Sequence, residues 1–367
     1  MTQAAAIADD TPALSLLEEK AKDRSFVVLD GLRGIAAIAV VTRHLRYFHN
    51  PLFESYLAVD FFFVLSGFVL SHAYAQRLAS GLSTRRFMTM RLIRLYPLYG
   101  LTIMLALAVW GYGQLVSGHR GHEISWSVLL FSVLFLPTPS GFLPLNLTAW
   151  SLSFELAANA WWAIAWRRIS NRNLAIFVAV MALVLTGTVL TRTAGFGSAS
   201  GTGVMDNGYQ WHTLVAGFIR VGYSFFCGVL LHRIWKATPA HLHLSPLIPC
   251  AMLLTVLGAH PGAVYQPAFD LAATIFVFPL IVWIGASSAA SSAASPALSA
   301  LGIASYGIYI LQGSWIDLFS HFTKRIDAPM TLEIAFIASL FGAVILLDRY
   351  YDLPTRRWLQ KQFVAAI

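Results

Sequence analysis

Residues 174–192 read LAIFVAVMALVLTGTVLTR, an apolar run in which only the last residue carries a charge. A helix that crosses the hydrocarbon core of a bilayer needs about 20 predominantly apolar residues. This stretch supplies them without a break, so it predicts a transmembrane helix.

The composition of the whole chain supports the same prediction. Of its 367 residues, 57% are hydrophobic and only 11% are charged, whereas a soluble domain carries about 25% charged residues to cover its surface. Most of the surface must therefore face something other than water, which excludes a soluble globular enzyme. The net charge of +8 comes without a long run of Lys and Arg, so we assign it to cytoplasmic loops rather than to a nucleic-acid surface.

Similar apolar segments recur along the chain. They lie at residues 27–48, 57–79, 95–117, 124–137, 148–168, 174–192, 211–234, 245–260, 267–286, 302–321 and 331–350. Segment 124–137 is too short for an ordinary span. If this segment does not cross the membrane, the main Arg and Lys clusters all lie on the same side of it. We therefore predict an all-α fold, a polytopic transmembrane helix bundle of about ten spans with a short re-entrant or in-plane segment at 124–137. Both termini are then cytoplasmic, and a count with one more span remains the alternative.

The chain divides into three parts by composition. Residues 1–25 are polar and lack the apolar core of a signal peptide, so we predict a cytosolic segment. Residues 26–352 form the membrane-embedded domain, and the basic residues 353–367 form a cytosolic tail.

Cys227 and Cys250 lie in apolar stretches without zinc-site spacing, so no metal site is expected.

Charged side chains in the first span are the first candidates for function, because a charge at mid-bilayer costs at least ~2.5–3.5 kcal/mol on insertion scales. Arg33 and His44 point in nearly the same direction and lie about 16 Å apart along a helix. Gly31 and Gly34 permit close approach of a neighbouring helix or a ligand. The alternative is that the two side chains extend to opposite membrane interfaces.

Other polar residues lie in later spans. Glu155 and His44 lie at matched depth, so we expect the carboxylate and the imidazole to pair. Asp60, near the outer interface, is either a structural partner or a site residue. Arg91 and Arg94 share a helix face, and such a fork suits a phosphate or a carboxylate, although anionic lipid headgroups are an equal alternative for it.

The tenth span offers neutral hydrogen-bonding groups. Ser305, Tyr306, Tyr309 and Gln312 would face the interior of the bundle. They can bind a substrate or hold neighbouring helices together.

Taken together, these motifs resemble the integral-membrane acyltransferase-3 family, which includes O-antigen, exopolysaccharide and Nod-factor O-acyltransferases. The resemblance extends from residue 29 to residue 356. It is carried by LDGLRGIAA at 29–37 followed by His44, and by residues 60–68, 91–97, 150–155, 305–309 and 352–356.

The resemblance implies an enzyme of the bacterial inner membrane that moves an acyl group, typically acetyl, from cytosolic acetyl-CoA to an extracytoplasmic sugar hydroxyl. The family's arginine and histidine, with ten residues between them in the first span, match Arg33 and His44. Its Arg-x-x-Arg motif matches Arg91 and Arg94. Gln312 stands where members often carry a histidine, which bears on acceptor specificity.

On this basis we predict three groups of site residues. The catalytic residues are His44, Glu155 and Asp60. The acyl-CoA site comprises Arg33, Arg91, Arg94 and Tyr96. The substrate site comprises Trp150, Ser153, Tyr306, Tyr309 and Gln312.

Two mechanisms remain open for His44, which can act as a general base or as an acyl-accepting nucleophile. The expected partners are acyl-CoA, a carbohydrate or glycolipid acceptor and the lipid bilayer, with no nucleic acid and no metal. The alternative function is a transporter or flippase for a polar metabolite or a lipid-linked sugar. The chain shows no duplicated pair of broken spans, which secondary transporters tend to have.

Overall fold

The computed structural model describes residues 26–45, 52–117, 124–136, 145–197, 203–208, 210–238, 244–288, 291–323 and 329–364. These ranges contain helices and turns but no β-strand, which confirms the all-α prediction. The α-helices are α1 (Val27–His44), α2 (Ala58–Ala79), α3 (Thr84–Ser117), α4 (Trp126–Val133), α5 (Trp150–Ala165), α6 (Asn171–Thr191), α7 (Leu214–Ala237), α8 (Leu247–Leu257), α9 (Gln266–Ala272), α10 (Phe278–Ser287), α11 (Ser295–Thr323), α12 (Pro329–Leu347) and α13 (Leu353–Phe363).

Two of these helices continue into the next through a π-helical turn. Ala273–Val277 joins α9 to α10, and Asp348–Asp352 joins α12 to α13. A proline lies in the first turn of each following helix, and its missing N–H removes a bond from the regular ladder. Most of the segment predicted as a basic C-terminal tail is therefore the helix α13.

Within the described residues, six helical segments are long and apolar enough to cross a membrane, and the chain is a membrane protein. They are Ser55–Ala79, Thr84–Leu115, Asn171–Thr191, Trp211–Ala237, Gln266–Ser287 and Thr331–Phe363. By length and composition alone, the described helices do not reach the predicted count of about ten spans. Helix α1 is not counted because it carries Asp30, Arg33 and Arg43. Helices α5 and α8 are not counted because they have only 16 and 11 residues.

The segment predicted at 124–137 contains a short helix. Helix α4 has 8 residues and is about 12 Å long, so it cannot cross a hydrocarbon core of about 30 Å. After α4 the chain turns at Phe135, whose φ of 57° is left-handed. The Phe135 ring stacks on Tyr99 of α3 with centroids 3.8 Å apart, which holds the segment against the bundle.

Two helix pairs are packed unusually closely, and glycines make both contacts possible. A Cβ on Gly67 of α2 would lie 1.9 Å from the Phe225 carbonyl oxygen of α7, and one on Gly228 of α7 would lie 2.0 Å from the Val64 carbonyl oxygen. Between α1 and α11, a Cβ on Gly34 would lie 2.6 Å from the Leu301 carbonyl oxygen. Small residues allow such backbone approach between membrane helices, and these four helices frame the site.

Candidate active site

Two cavities lie between these helices. The arginine cavity is bordered by α1, α2, α3, α5 and α11, and its lining includes Arg33, Arg91, Arg94, Ser66, Glu155, Ser305 and Tyr306. The histidine cavity is lined by Val40, Arg43, His44, Ser55, Tyr56, Val59, Thr148, Trp150, Asp206, Arg220 and Tyr309. Val59 and Tyr309 line both cavities, so the two meet at these side chains. Arg33 and His44 thus line two adjacent cavities, along the stripe of α1 predicted from their spacing.

Arg33 is fixed against α11. Its Nε donates to Ser305 Oγ at 2.8 Å, one terminal nitrogen donates to the Gly302 carbonyl at 2.9 Å, and that nitrogen lies 3.0 Å from an Asp30 oxygen. The side chain is still 31% exposed. Arg33 therefore presents an oriented positive charge to the arginine cavity. A side chain that simply extended to the membrane interface would not be held against α11 in this way.

Arg91 is held by a carboxylate from another helix. Its terminal nitrogen lies 2.9 Å from Glu155 Oε1, and Ser66 Oγ donates to the same oxygen at 2.6 Å. The expected pairing of Glu155 with His44 is therefore wrong. Glu155 lines the arginine cavity, where three arginines attract a carboxylate more strongly than a neutral imidazole does.

Arg94 lines the same cavity with different surroundings. It donates no hydrogen bond and forms no ion pair among the described residues. Arg33 and Arg91 are close enough to repel its charge, and the carboxylate of Asp348 attracts it. A guanidinium with unused donors in a partly enclosed cavity suits an anionic ligand.

Asp60 pairs with an arginine that the sequence analysis missed. Asp60 and Arg220 have side chains only 0% and 1% exposed, and Arg220 contacts both carboxylate oxygens, the closest approach being 2.6 Å. Arg220 also donates to the backbone carbonyls of Asn207 and Tyr56. Asp60 lines neither cavity and does not orient His44, so its contribution to the site is to hold Arg220.

The His44 ring is oriented by its own helix. Its Nδ1 lies 2.8 Å from the Val40 carbonyl oxygen, so this nitrogen carries the proton and donates it. The other ring nitrogen, Nε2, then keeps its lone pair free for a proton or an acyl group. The neighbouring Arg43 forms a 2.6 Å ion pair with Asp206, which ties segment 203–208 across the cavity.

Tyrosines predicted for the two binding sites separate into three environments. Tyr306 lines the arginine cavity and donates to the Leu95 carbonyl at 2.6 Å. Tyr309 lies at the junction, where its hydroxyl is 2.7 Å from Ser151 Oγ. Tyr96 lines neither cavity, because its hydroxyl points towards Val133 of α4 at 3.4 Å.

The remaining predicted substrate residues also differ in position. Trp150 lines the histidine cavity, where its ring lies 5.5 Å from the Arg220 guanidinium. Ser153 faces away and donates to the Phe135 carbonyl. Gln312 is fully buried, and its side chain lies within interaction range of the His44 ring.

One signal in the sequence could have found Arg220. It lies within the apolar segment 211–234, and an arginine inside a membrane span marks a functional or paired position. Arg43 and Asp206 carried no comparable signal, because Arg43 is at a helix end and Asp206 is in a connecting segment.

Comparisons with known proteins agree with the resemblance seen in the motifs. Residues 26–348 match the family model described as an acyltransferase domain, Acyl_transf_3. The protein called "Protein 2 in picA locus", from Rhizobium radiobacter, is 41% identical over an alignment 177 residues long that covers 44% of this chain and 92% of that protein.

Peptidoglycan O-acetyltransferase OatA of Listeria monocytogenes serovar 1/2a is 23% identical over an alignment 366 residues long that covers 90% of this chain and 55% of OatA. The chain thus spans about half the length of OatA. No solved structure matches the chain significantly. Since the acyltransferase match includes both cavities and extends over nearly all the helices, this membrane protein belongs to the acyltransferase-3 family.

Proposed function

We propose that the protein is a membrane-embedded O-acyltransferase that moves an acyl group, acetyl in the first instance, from cytosolic acyl-CoA to a hydroxyl of an extracytoplasmic carbohydrate or glycolipid. The observation that carries this proposal is the adjacent pair of cavities, with Arg33, Arg91 and Arg94 in one and His44 in the other. A donor with an anionic head needs available positive charge, which Arg94 supplies in the arginine cavity. In the histidine cavity, Arg43 and Arg220 are each paired with an aspartate.

The arginine cavity is the proposed donor site. Coenzyme A carries phosphates on its nucleotide head and a long neutral arm that ends in the thioester. Arg94, which has no hydrogen-bonding partner among the described residues, is suited to a phosphate, and Arg33 and Arg91 add positive charge beside it. The arm would run past Phe62 and Val59, which line this cavity, and bring the thioester to the junction.

At the junction the reaction needs a base. The acceptor hydroxyl oxygen forms a bond to the thioester carbonyl carbon, and its proton moves to Nε2 of His44. The carbon–sulfur bond breaks, and the proton on His44 passes to the departing sulfur, so that an ester and the free thiol of coenzyme A are formed. In the alternative route Nε2 itself bonds to the thioester carbonyl carbon, and coenzyme A departs as the thiolate. The acceptor oxygen then bonds to that carbon, the bond to Nε2 breaks, and the hydroxyl proton passes to the coenzyme A sulfur.

The membrane arrangement is part of the proposal. We place the protein in the bacterial inner membrane with about ten spans, including α1 and α5, and with both termini in the cytoplasm. In this orientation the arginine cavity opens towards cytosolic acyl-CoA and the histidine cavity towards the outside. The similarity to a peptidoglycan O-acetyltransferase supports an envelope carbohydrate as acceptor.

The first prediction tests the role of His44. Full-length protein purified in detergent should release free coenzyme A from acetyl-CoA, and His44→Ala should abolish the release while leaving the protein folded. His260→Ala is the matched control, because His260 is exposed and contacts only the ring of Phe53 among the described aromatic residues. Coenzyme A release is measured by chromatography, and folding by thermal unfolding.

Two results would contradict the proposal. One is a His44→Ala variant as active as wild type, and the other is wild-type protein that leaves acetyl-CoA intact with and without added glycan acceptor. The second result would favour a carrier of polar metabolites or lipid-linked sugars.

A further inference from the structure

Gln312 of α11 has an unusual hydrogen-bonding state. Its side chain is 0% exposed, and its Nε2 donates to the Tyr309 carbonyl at 2.9 Å. Its Oε1 is buried and accepts no hydrogen bond among the described residues. A buried amide oxygen without a donor is costly, so the position of this oxygen calls for an explanation.

The neighbour of this amide is His44. The Gln312 side chain and the His44 ring are within interaction range. Nδ1 of the ring already donates to Val40, so in the neutral ring Nε2 has no proton to offer. The neutral ring therefore cannot donate to the Gln312 oxygen until Nε2 is protonated. One N–H of the amide donates to the Tyr309 carbonyl, and turning the amide over would break this bond.

We propose that Gln312 is a positioning residue whose side-chain oxygen accepts a hydrogen bond from His44 when the imidazole becomes protonated during acyl transfer. This inference rests on the function proposed above and adds a residue to it. The hydrogen bond exists only in the charged state of the ring, so it favours proton uptake from the acceptor hydroxyl. It also holds the ring in place until the proton moves to the sulfur of coenzyme A.

Other charges around His44 do not serve this purpose. The charged and titratable groups that face it are Arg43 on its own helix, Asp206 from segment 203–208, Arg220 on α7, Tyr56 ahead of α2, and Tyr309 on α11. Arg43 is paired with Asp206, and Arg220 is paired with Asp60. The Tyr56 hydroxyl donates to Asp270, and the Tyr309 hydroxyl bonds with Ser151.

The test is the pH dependence of coenzyme A release from acetyl-CoA by the full chain in detergent. Activity requires the neutral imidazole, so it falls at low pH as His44 becomes protonated. Gln312→Leu removes the acceptor and makes protonation harder. The acidic limb of the profile should therefore move to lower pH by about one unit, and the maximal rate should fall about tenfold or more. Gln312→Glu should move the acidic limb to higher pH.

Ser314→Ala is the matched control on the same helix. Ser314 is buried, and its hydroxyl donates to the Thr102 carbonyl at 3.4 Å, so its loss should leave the acidic limb where it is. A merely structural role for Gln312 would lower the rate of both Gln312 variants with the limb at its wild-type pH, and this result would overturn the inference. So would a wild-type profile in both variants.

The experiment separates this inference from the proposed function. Suppose that wild-type protein is active and His44→Ala is inactive, but the Gln312 variants leave the acidic limb of the pH profile unchanged. In that case only the inference about Gln312 fails. If wild-type protein does not turn over acetyl-CoA, the proposed function fails and the inference with it. Thermal unfolding of each variant identifies any that do not fold, and Gln312→Glu, which is nearly isosteric, remains informative if Gln312→Leu is one of them.

Discussion

Arg91 and Arg94 lie three residues apart on α3 and line the same cavity, yet their charges have different partners. Arg91 is engaged by Glu155 at 2.9 Å, and the two charges largely cancel. Arg94 has no hydrogen bond or ion pair within the described part of the chain, and Arg33 beside it is partly neutralised by Asp30. The charge that remains available to a ligand therefore belongs mainly to Arg94.

Substitution should separate the two arginines at this scale. Arg94→Gln should raise the KM for acetyl-CoA about tenfold or more, because a charge-assisted bond to the donor is lost, while thermal stability stays close to that of wild type. Arg91→Gln should also lower the unfolding temperature, because among the described residues Glu155 then keeps Ser66 as its one donor. Steady-state kinetics and thermal unfolding measure the two effects. An unchanged KM for acetyl-CoA in Arg94→Gln would contradict the placement of the donor head in the arginine cavity.

Among the helices, α2 and α7 approach each other so closely that their backbones are almost in contact at Gly67 and Gly228. This approach places Val59 of α2 at the cavity junction and Arg220 of α7 beneath Trp150. The glycines therefore act on the site through the separation of two helices, although neither lines a cavity.

Gly228→Ala should push these helices apart and destabilise the protein by about 1–3 kcal/mol, the usual cost of overpacking. The new methyl group would start 2.0 Å from the Val64 carbonyl oxygen, which is backbone and cannot rotate away. Gly187→Ala on α6 is the control, because a Cβ there meets no atom within 4 Å. Thermal unfolding in detergent compares them, and equal stability of the two variants would show that the close packing is not needed.

Across the whole molecule, the two cavities meet only where α2 and α11 face each other in the described lining. Val59 and Tyr309 line both cavities, and the Phe62 ring contacts the Tyr309 ring edge-on at 5.4 Å. In the proposed reaction the acyl group passes these side chains on its way to the acceptor. Their bulk should therefore limit the length of the acyl chain that is transferred.

Val59→Ala should widen the junction and raise the rate with butyryl-CoA relative to acetyl-CoA several-fold, because a longer chain then fits beside Tyr309. Val69→Ala is the control, since Val69 lines the arginine cavity alone. Coenzyme A release from the two donors gives the ratio. An unchanged ratio in Val59→Ala, or an equal increase in Val69→Ala, would contradict selection at the junction.

Much of this architecture follows from the order of residues. The apolar runs require a helical membrane protein, because only internally hydrogen-bonded segments are tolerated in lipid. The spacing of Arg33 and His44 puts both on one side of α1, since helical periodicity is local. The same periodicity explains why Arg91 and Arg94 line one cavity. The small number of apolar residues, at about 1.5 Å of helix each, explains why 124–137 is too short to cross.

The partners of the charged groups were decided only by the tertiary structure. Glu155 pairs with Arg91 across 64 residues of chain, and Asp60 pairs with Arg220 across 160. Helical spacing determines in which direction a side chain points around the axis of its own helix. It does not determine which other helix lies opposite that side chain. That choice depends on how glycine contacts bring α1 to α11 and α2 to α7. Charges in a low-dielectric interior then pair with whatever opposite charge the packing places in reach, because leaving them alone costs several kcal/mol.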